Sequence, residues 1–144
     1  MQYFSLRWNN HPINLVSGFS GLYNSETLVD VTLAAEGRHL QAHRMLLSAC
    51  SDYFQSIFSV NPCQHPIVIL KDVNFEDLKT VVQFMYNGIV NVSSEKLPAV
   101  LKVGYFIFNL LSIHIIMKHI YMECTYYIYV YIDFGISRPR TPSK

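Results

Sequence analysis

Leu28-Val29-Asp30-Val31-Thr32-Leu33-Ala34-Ala35-Glu36-Gly37-Arg38-His39-Leu40-Gln41-Ala42-His43-Arg44 is the stretch on which the fold turns. Val29, Val31 and Leu33 alternate with Asp30, Thr32 and Ala34, the period of a strand with one face toward a core. Glu36-Gly37 supplies a tight turn, and Arg38 to Ala42 returns as the second arm of a hairpin. From His43 the apolar spacing becomes helical, through Met45, Leu46, Ala49 and Cys50. It pauses at Ser51-Asp52 and resumes with Phe54, Ile57 and Phe58, so two short helices are expected after the hairpin.

Upstream, Leu15, Val16, Phe19, Leu22 and Tyr23 fall on one helical stripe within residues 13 to 23, with Pro12 suited to the first turn and Asn10 or His11 available as cap. Downstream, Pro62-Cys63-Gln64-His65-Pro66 reads as a connector. Ile67 to Leu70 is a continuous apolar run, expected as a strand buried on both faces. Asn74 can cap a helix with Asp77 near its positive end and Phe75, Leu78, Val81, Val82 and Met85 as its buried stripe. Asn87-Gly88 stops that helix and Ile89 to Val92 can extend. Ser93 or Ser94 can cap a last helix bearing Leu97, Val100 and Leu101. Helices interleaved with a short hairpin give an α+β domain, a helix-rich cluster around a short sheet.

The chain has 144 residues, enough for one domain with a sizeable core. Charged residues are 15% and apolar residues 51%, a balance that excludes disorder for most of its length. Up to Lys102 there are 7 basic and 8 acidic residues, and beyond it 4 and 2, so neither part carries the basic field that direct nucleic-acid binding needs. Three widely spaced cysteines, Cys50, Cys63 and Cys124, fit a reducing compartment. Cys50 lies in an apolar helical stretch, where a thiol behaves as a small hydrophobe.

Six ordered segments resemble the BTB/POZ domains of the tramtrack group of insect transcription regulators. They are Phe4-Ser5-Leu6-Arg7-Trp8-Asn9-Asn10-His11, Leu28 to Ala34, Ala42-His43-Arg44, Leu47-Ser48-Ala49-Cys50-Ser51, His65-Pro66-Ile67 with Leu70-Lys71-Asp72-Val73, and Phe84-Met85-Tyr86. The resemblance covers residues 3 to 102. It implies a homodimer, or a heterodimer with other BTB proteins, in which first helices pack together and the N-terminal segment pairs with the partner chain. Phe4, Leu6, Trp8, Leu15, Phe19 and Leu22 would form that interface. Taken alone, Tyr3, Phe4, Leu6 and Trp8 are too apolar for a free arm; the other way to cover them is to fold the arm back on its own domain.

The resemblance also places Asp30 and Arg44 near a groove where co-regulator peptides bind. Such a pair can equally be structural, since a carboxylate and a guanidinium in a partly buried site pair with each other. His43 reads as a hydrogen-bonding structural histidine. Ser5 stands where the family has a cysteine, Pro12 where it has a polar residue and Asp52 where it has a proline. Asn87 and Ile89 replace a basic and an acidic residue, which bears on partner choice.

After Lys102 the family pattern would finish its last helix and add more. Here Val103-Gly104 opens a run of different character, and the BTB fold is expected to lack its C-terminal helices. Between Tyr105 and Phe134, 20 of 30 residues are Phe, Tyr, Met, Ile, Asn or Lys, whose codons are richest in A and T. Residues 103–144 therefore read as a non-family apolar tail, intron read-through or a gene-model error. Val103 to Met117 is short of the ~20 apolar residues a membrane helix needs, and membrane insertion is not expected. The Tyr126 to Tyr131 stretch is β-prone. His114, His119 and Cys124 recur at a spacing that fits neither a common zinc site nor one helical face, and Ser137 to Pro142 reads as a basic, proline-containing terminus.

The expected function is that of a dimerising, co-regulator-recruiting module of a nuclear, developmental transcription regulator, without a DNA-reading part of its own. A substrate adaptor for a cullin-type ubiquitin ligase is the alternative, and a membrane-tethered fragment a third. No cofactor, metal site or catalytic residue is expected: the sequence has no phosphate loop, zinc-protease His-Glu pair or nucleophile elbow.

Overall fold

The computed structural model describes residues 1–108. Their order is α1 (His11–Asn24), β1 (Val31–Ala35), β2 (Arg38–Ala42), α2 (Arg44–Cys50), α3 (Asp52–Val60), β3 (Ile67–Ile69), α4 (Phe75–Asn87) and α5 (Leu97–Phe108). The fold is α+β, with five helices about a three-stranded sheet of order β2-β1-β3 among the described residues. The hairpin forms as the alternation requires, pairing Val31 with Ala42 and Leu33 with Leu40. Glu36 and Gly37 both take left-handed backbone, with φ of 51° and 72°, the combination that matches a two-residue turn to the twist of its strands.

β1 is the central strand, antiparallel to β2 and parallel to β3, where Thr32 faces Ile67 and Ala34 faces Ile69. Its Val31 and Leu33 pack with Leu47 of α2, Phe54 of α3, Leu78 and Val82 of α4 and Ile107 of α5 into one core. Those side chains hold helices and sheet together, because each fully buried aliphatic or aromatic group contributes ~1.5–3 kcal/mol over its exposed state.

α4 has both expected ends. Asn74 Oδ1 accepts from the amides of Glu76 (3.0 Å) and Asp77 (3.2 Å). Gly88 closes the helix at φ 73°, its N–H donating to the Phe84 carbonyl. The buried stripe is Phe75, Leu78, Val81, Val82 and Tyr86. Met85, expected in that stripe, is only half-buried, and Tyr86 is the side chain that goes inside.

Three expectations are corrected. β3 is not buried on both faces: Ile67 is 63% and Ile69 77% exposed, while Val68 packs on the core. The strand sits at the sheet edge, and no layer covers its outer face among the described residues. Ile89 to Val92 forms no strand, although Val90 and Val92 turn inward and Ile89 and Asn91 outward in the alternation of one. Among the described residues it has no neighbouring strand to supply hydrogen bonds. Finally, the boundary expected at Lys102 falls inside α5, which continues to Phe108; Val103, Gly104, Ile107 and Phe108 are all buried. Those residues have helical spacing and meet α3 and α4, so the packed domain continues past Lys102. The metal spacing, the β-prone stretch, the basic terminus and most of the apolar run read from the tail lie outside the described residues.

Candidate interaction surface

α1 is a fourteen-residue helix without a single buried residue. Its Phe19 and Tyr23 lean half-buried against the core, and the Tyr23 ring stacks on Tyr86 of α4 with centroids 4.3 Å apart. The opposite side is uncovered: Leu15 and Val16 are exposed, and so is Ile13 at 70%. Upstream, Phe4, Leu6 and Trp8 are exposed, Leu6 at 95%. The Trp8 ring meets His11 edge-on with centroids 4.8 Å apart, and its carbonyl accepts from the His11 amide. Among the described residues no main-chain hydrogen bond reaches residues 1–7 or residues 89–92. The arm therefore does not fold back onto its own domain.

Of the six residues expected at an interface, Phe4, Leu6, Trp8 and Leu15 lie open, whereas Phe19 and Leu22 are half-buried. Phe19 serves the attachment of α1. Ile13, also exposed, stands off the helical stripe that the apolar periodicity picks out.

Asp30 and Arg44 do come together. Asp30 Oδ2 accepts from Arg44 Nε at 3.1 Å and Oδ1 accepts from the Arg44 amide at 2.7 Å. The Asp30 amide donates to the Ala42 carbonyl. Arg44 Nη1 donates to the Cys63 carbonyl at 3.0 Å, which ties down the connector before β3. Asp30 thus ties the start of β1 to the end of β2 through its amide and to the first turn of α2 through its carboxylate. Both side chains remain about a third exposed, so the pair sits at the surface and its Coulomb energy is screened.

His43 is buried between them and α4. Its Nε2 faces the Thr27 carbonyl at 2.8 Å, and a carbonyl can only accept, so Nε2 carries the proton. In the neutral imidazole Nδ1 is then an acceptor, taking the Tyr86 hydroxyl proton at 2.6 Å, while the Tyr86 oxygen accepts from the His43 amide at 2.9 Å. Burial pushes the Tyr86 phenol up to about 12, the amide bond opposing it in part. Burial, with Glu26 adding, also raises Tyr23. The histidine is structural, as its place at the start of a helix suggested. Tyr86 had no such signal beyond its motif, since its role depends on a residue 43 positions away.

Burial raises the Cys50 thiol, whose Sγ rests 4.0 Å from the Met85 carbonyl. A thiol held protonated is a poor nucleophile. Among the described residues no group of His, Cys, Asp and Glu gathers to hold a metal, and no helix is long and apolar enough to cross a membrane.

Known proteins match this arrangement. The chain is 57% identical over 103 residues to the tramtrack protein, alpha isoform, of Drosophila melanogaster, covering 72% of this chain and 13% of that protein. It is 53% identical over 103 residues to bric-a-brac 1 of the same organism, again 72% of this chain but 10% of that protein. With the longitudinals lacking protein-like of Drosophila melanogaster it shares 50% over 101 residues, 70% of this chain and 80% of the relative. The chain thus spans about a tenth of the length of bric-a-brac 1 and most of the length of the last. In structure it is similar to the BTB domain of zebrafish PATZ1, with a TM-score of 0.69 at 20% identity, over 84% of this chain and all of that one. That likeness shows the fold. The sequence profile of the BTB/POZ domain matches residues 19–125, from within α1 to beyond the described residues. With that profile over most of its length and half or more of its residues shared with the fly proteins, this chain belongs to the BTB/POZ domain family.

Proposed function

We propose that this chain is the dimerisation module of a nuclear transcription regulator, pairing with a second copy or with other BTB proteins and recruiting co-regulator peptides. The observation that carries the reading is the set of uncovered large apolar side chains on the arm and α1: Phe4, Leu6, Trp8, Ile13, Leu15 and Val16. Exposed apolar groups concentrated in this way mark a surface that another chain covers.

Two segments without main-chain hydrogen bonds among the described residues strengthen it. The arm places Phe4, Leu6 and Trp8 at alternate positions, and Ile89 to Val92 alternates in the same way without a neighbour. Exchange of arms between two copies, each arm adding a strand along residues 89–92 of the other, would supply hydrogen bonds to both and bury both apolar faces. α1 would pack against α1 across the two-fold axis, as isologous contacts do.

The Asp30–Arg44 pair, about a third exposed, is the proposed co-regulator contact. A co-regulator peptide carboxylate would meet Arg44 there, competing with Asp30. The balanced charge up to Lys102 argues against direct contact with nucleic acid by this chain. The relatives' lengths leave room for other parts to act on targets.

Sedimentation velocity of the purified chain tests the reading: a dimer at micromolar concentration supports it and a monomer overturns it. Pulldown with a co-expressed tramtrack relative tests heterodimerisation. Capture of a cullin N-terminal domain instead would move the reading to a ubiquitin-ligase adaptor.

A further inference from the structure

α1 carries half of the proposed dimer surface, yet it is fastened to its own domain by little. Among the described residues, every hydrogen bond from α1 to another helix or strand is made by one atom, Ser20 Oγ. It donates to Asn87 Oδ1 at 2.7 Å and lies 3.3 Å from the Tyr86 carbonyl. Asn87 is the last residue of α4, directly before the left-handed Gly88 and the unpaired segment 89–92.

We infer that Ser20 and Asn87 form a clamp that fixes α1 relative to residues 89–92 and so sets the geometry of the dimer surface. The inference rests on the reading above, in which α1 and residues 89–92 of one copy both face the partner.

The geometry favours a positioning role over a purely stabilising one. Ser20 and Asn87 make an exposed side-chain contact, and the core is complete without it. Phe19 and Tyr23 lean on α4 through apolar contact and ring stacking, which resists separation but permits sliding along the helix. A short, directional hydrogen bond at one point removes that freedom. Two chains that must dock on α1 and on residues 89–92 together need both parts in register, because a partner satisfying one part out of register loses the other. Neither Ser20 nor Asn87 needs to touch the partner for this.

The test uses the full chain with four substitutions, Leu15→Glu, Ser20→Ala, Asn87→Ala and Asn87→Asp. Readouts are the dimer dissociation constant by sedimentation equilibrium, or the rate of subunit exchange between fluorescently labelled copies, and the helical circular dichroism of each variant. Ser20→Ala puts a better helix former into α1, so it holds the fold if Asn87→Ala does not. Leu15→Glu tests the underlying reading: it yields a monomer if the α1 surface is the interface. Given that, Ser20→Ala and Asn87→Ala should raise the dissociation constant or exchange rate roughly five- to tenfold, the weight of one ordinary hydrogen bond, with unchanged dichroism. Asn87→Asp, which keeps an acceptor for the serine, should return it close to the parent value. If Leu15→Glu gives monomers while Ser20→Ala dimerises as tightly as the parent, the clamp is wrong and the interface stands. A Leu15→Glu dimer overturns both.

Discussion

The Tyr86 hydroxyl is gripped twice by His43, accepting from its amide at 2.9 Å and donating to its Nδ1 at 2.6 Å. Through the same imidazole the grip reaches the Thr27 carbonyl, and through the Tyr86 ring it reaches Tyr23 of α1. Four segments thus meet at one phenol: α1, the loop before β1, the start of α2 and the end of α4. The first consequence is for stability. Tyr86→Phe leaves the His43 amide and Nδ1 buried without partners, and should cost about 1–3 kcal/mol. Urea unfolding at pH 7 and fixed protein concentration measures it, and a loss under ~0.3 kcal/mol would contradict the network.

Alkaline pH should act through the same group. The Tyr86 phenol is raised from 10.0 to about 12 in the folded chain, so unfolded chains release its proton first. The stability tied to this group is fully present below pH 10 and is lost as pH rises through 12, by roughly 2.7 kcal/mol at most. Parent and Tyr86→Phe unfolding curves compared at pH 8, 10 and 11.5 isolate it, since other tyrosines and lysines titrate in both. Parallel loss in the two proteins would refute the assignment.

Ser51 joins α3 to α5. Its Oγ accepts from the Phe54 amide as N-cap of α3 and donates to the Ile107 carbonyl, and the side chain is buried. Ser51→Ala should cost about 1–2 kcal/mol, the upper part of the range for a lost cap. Ile107→Ala, which empties a fully buried site beyond Lys102, should cost about 2–5 kcal/mol. Thermal unfolding that leaves Ile107→Ala unchanged would show that α5 past Lys102 is not part of the packed domain.

For Asp30 and Arg44 the expectation is modest. The charges are partly exposed, so a double-mutant cycle with Asp30→Asn and Arg44→Gln should give a coupling of about 0.5–1 kcal/mol. Asp30→Ala, which also strips the Arg44 amide of its acceptor at the start of α2, should cost more than Asp30→Asn.

β3 should tolerate polarity. Ile67→Thr and Ile69→Lys ought to change unfolding free energy by less than ~0.5 kcal/mol, as exposed sites do, and to reduce association through the open sheet edge. Losses of several kcal/mol would return the strand to the core.

Much of this domain was legible in the chain itself. The hairpin, the paired short helices and Asn74 and Gly88 at the ends of α4 all follow from rules that act within a few residues. Local reading failed where burial depends on a neighbour distant in sequence. Ile67 to Leu70 has the composition of a buried strand, but whether a layer covers it is decided by where helices pack. Val103 to Phe108 looked like the start of a foreign tail by family pattern, yet its helical spacing lets it close the core.

Apart from the extended segment at residues 89–92, the sequence by itself determined the order of elements and the family, because periodicity, caps and turn chemistry are local and the six motifs occur in order. The tertiary structure alone decided that Tyr86 and not Met85 turns inward, and that Asp30 and Arg44 bind each other. It also placed one serine hydroxyl as a polar tie between α1 and α4. Hydrogen bonds and burial between residues 14 to 67 positions apart arise only when packing brings them within 3 Å, and no local pattern records that distance.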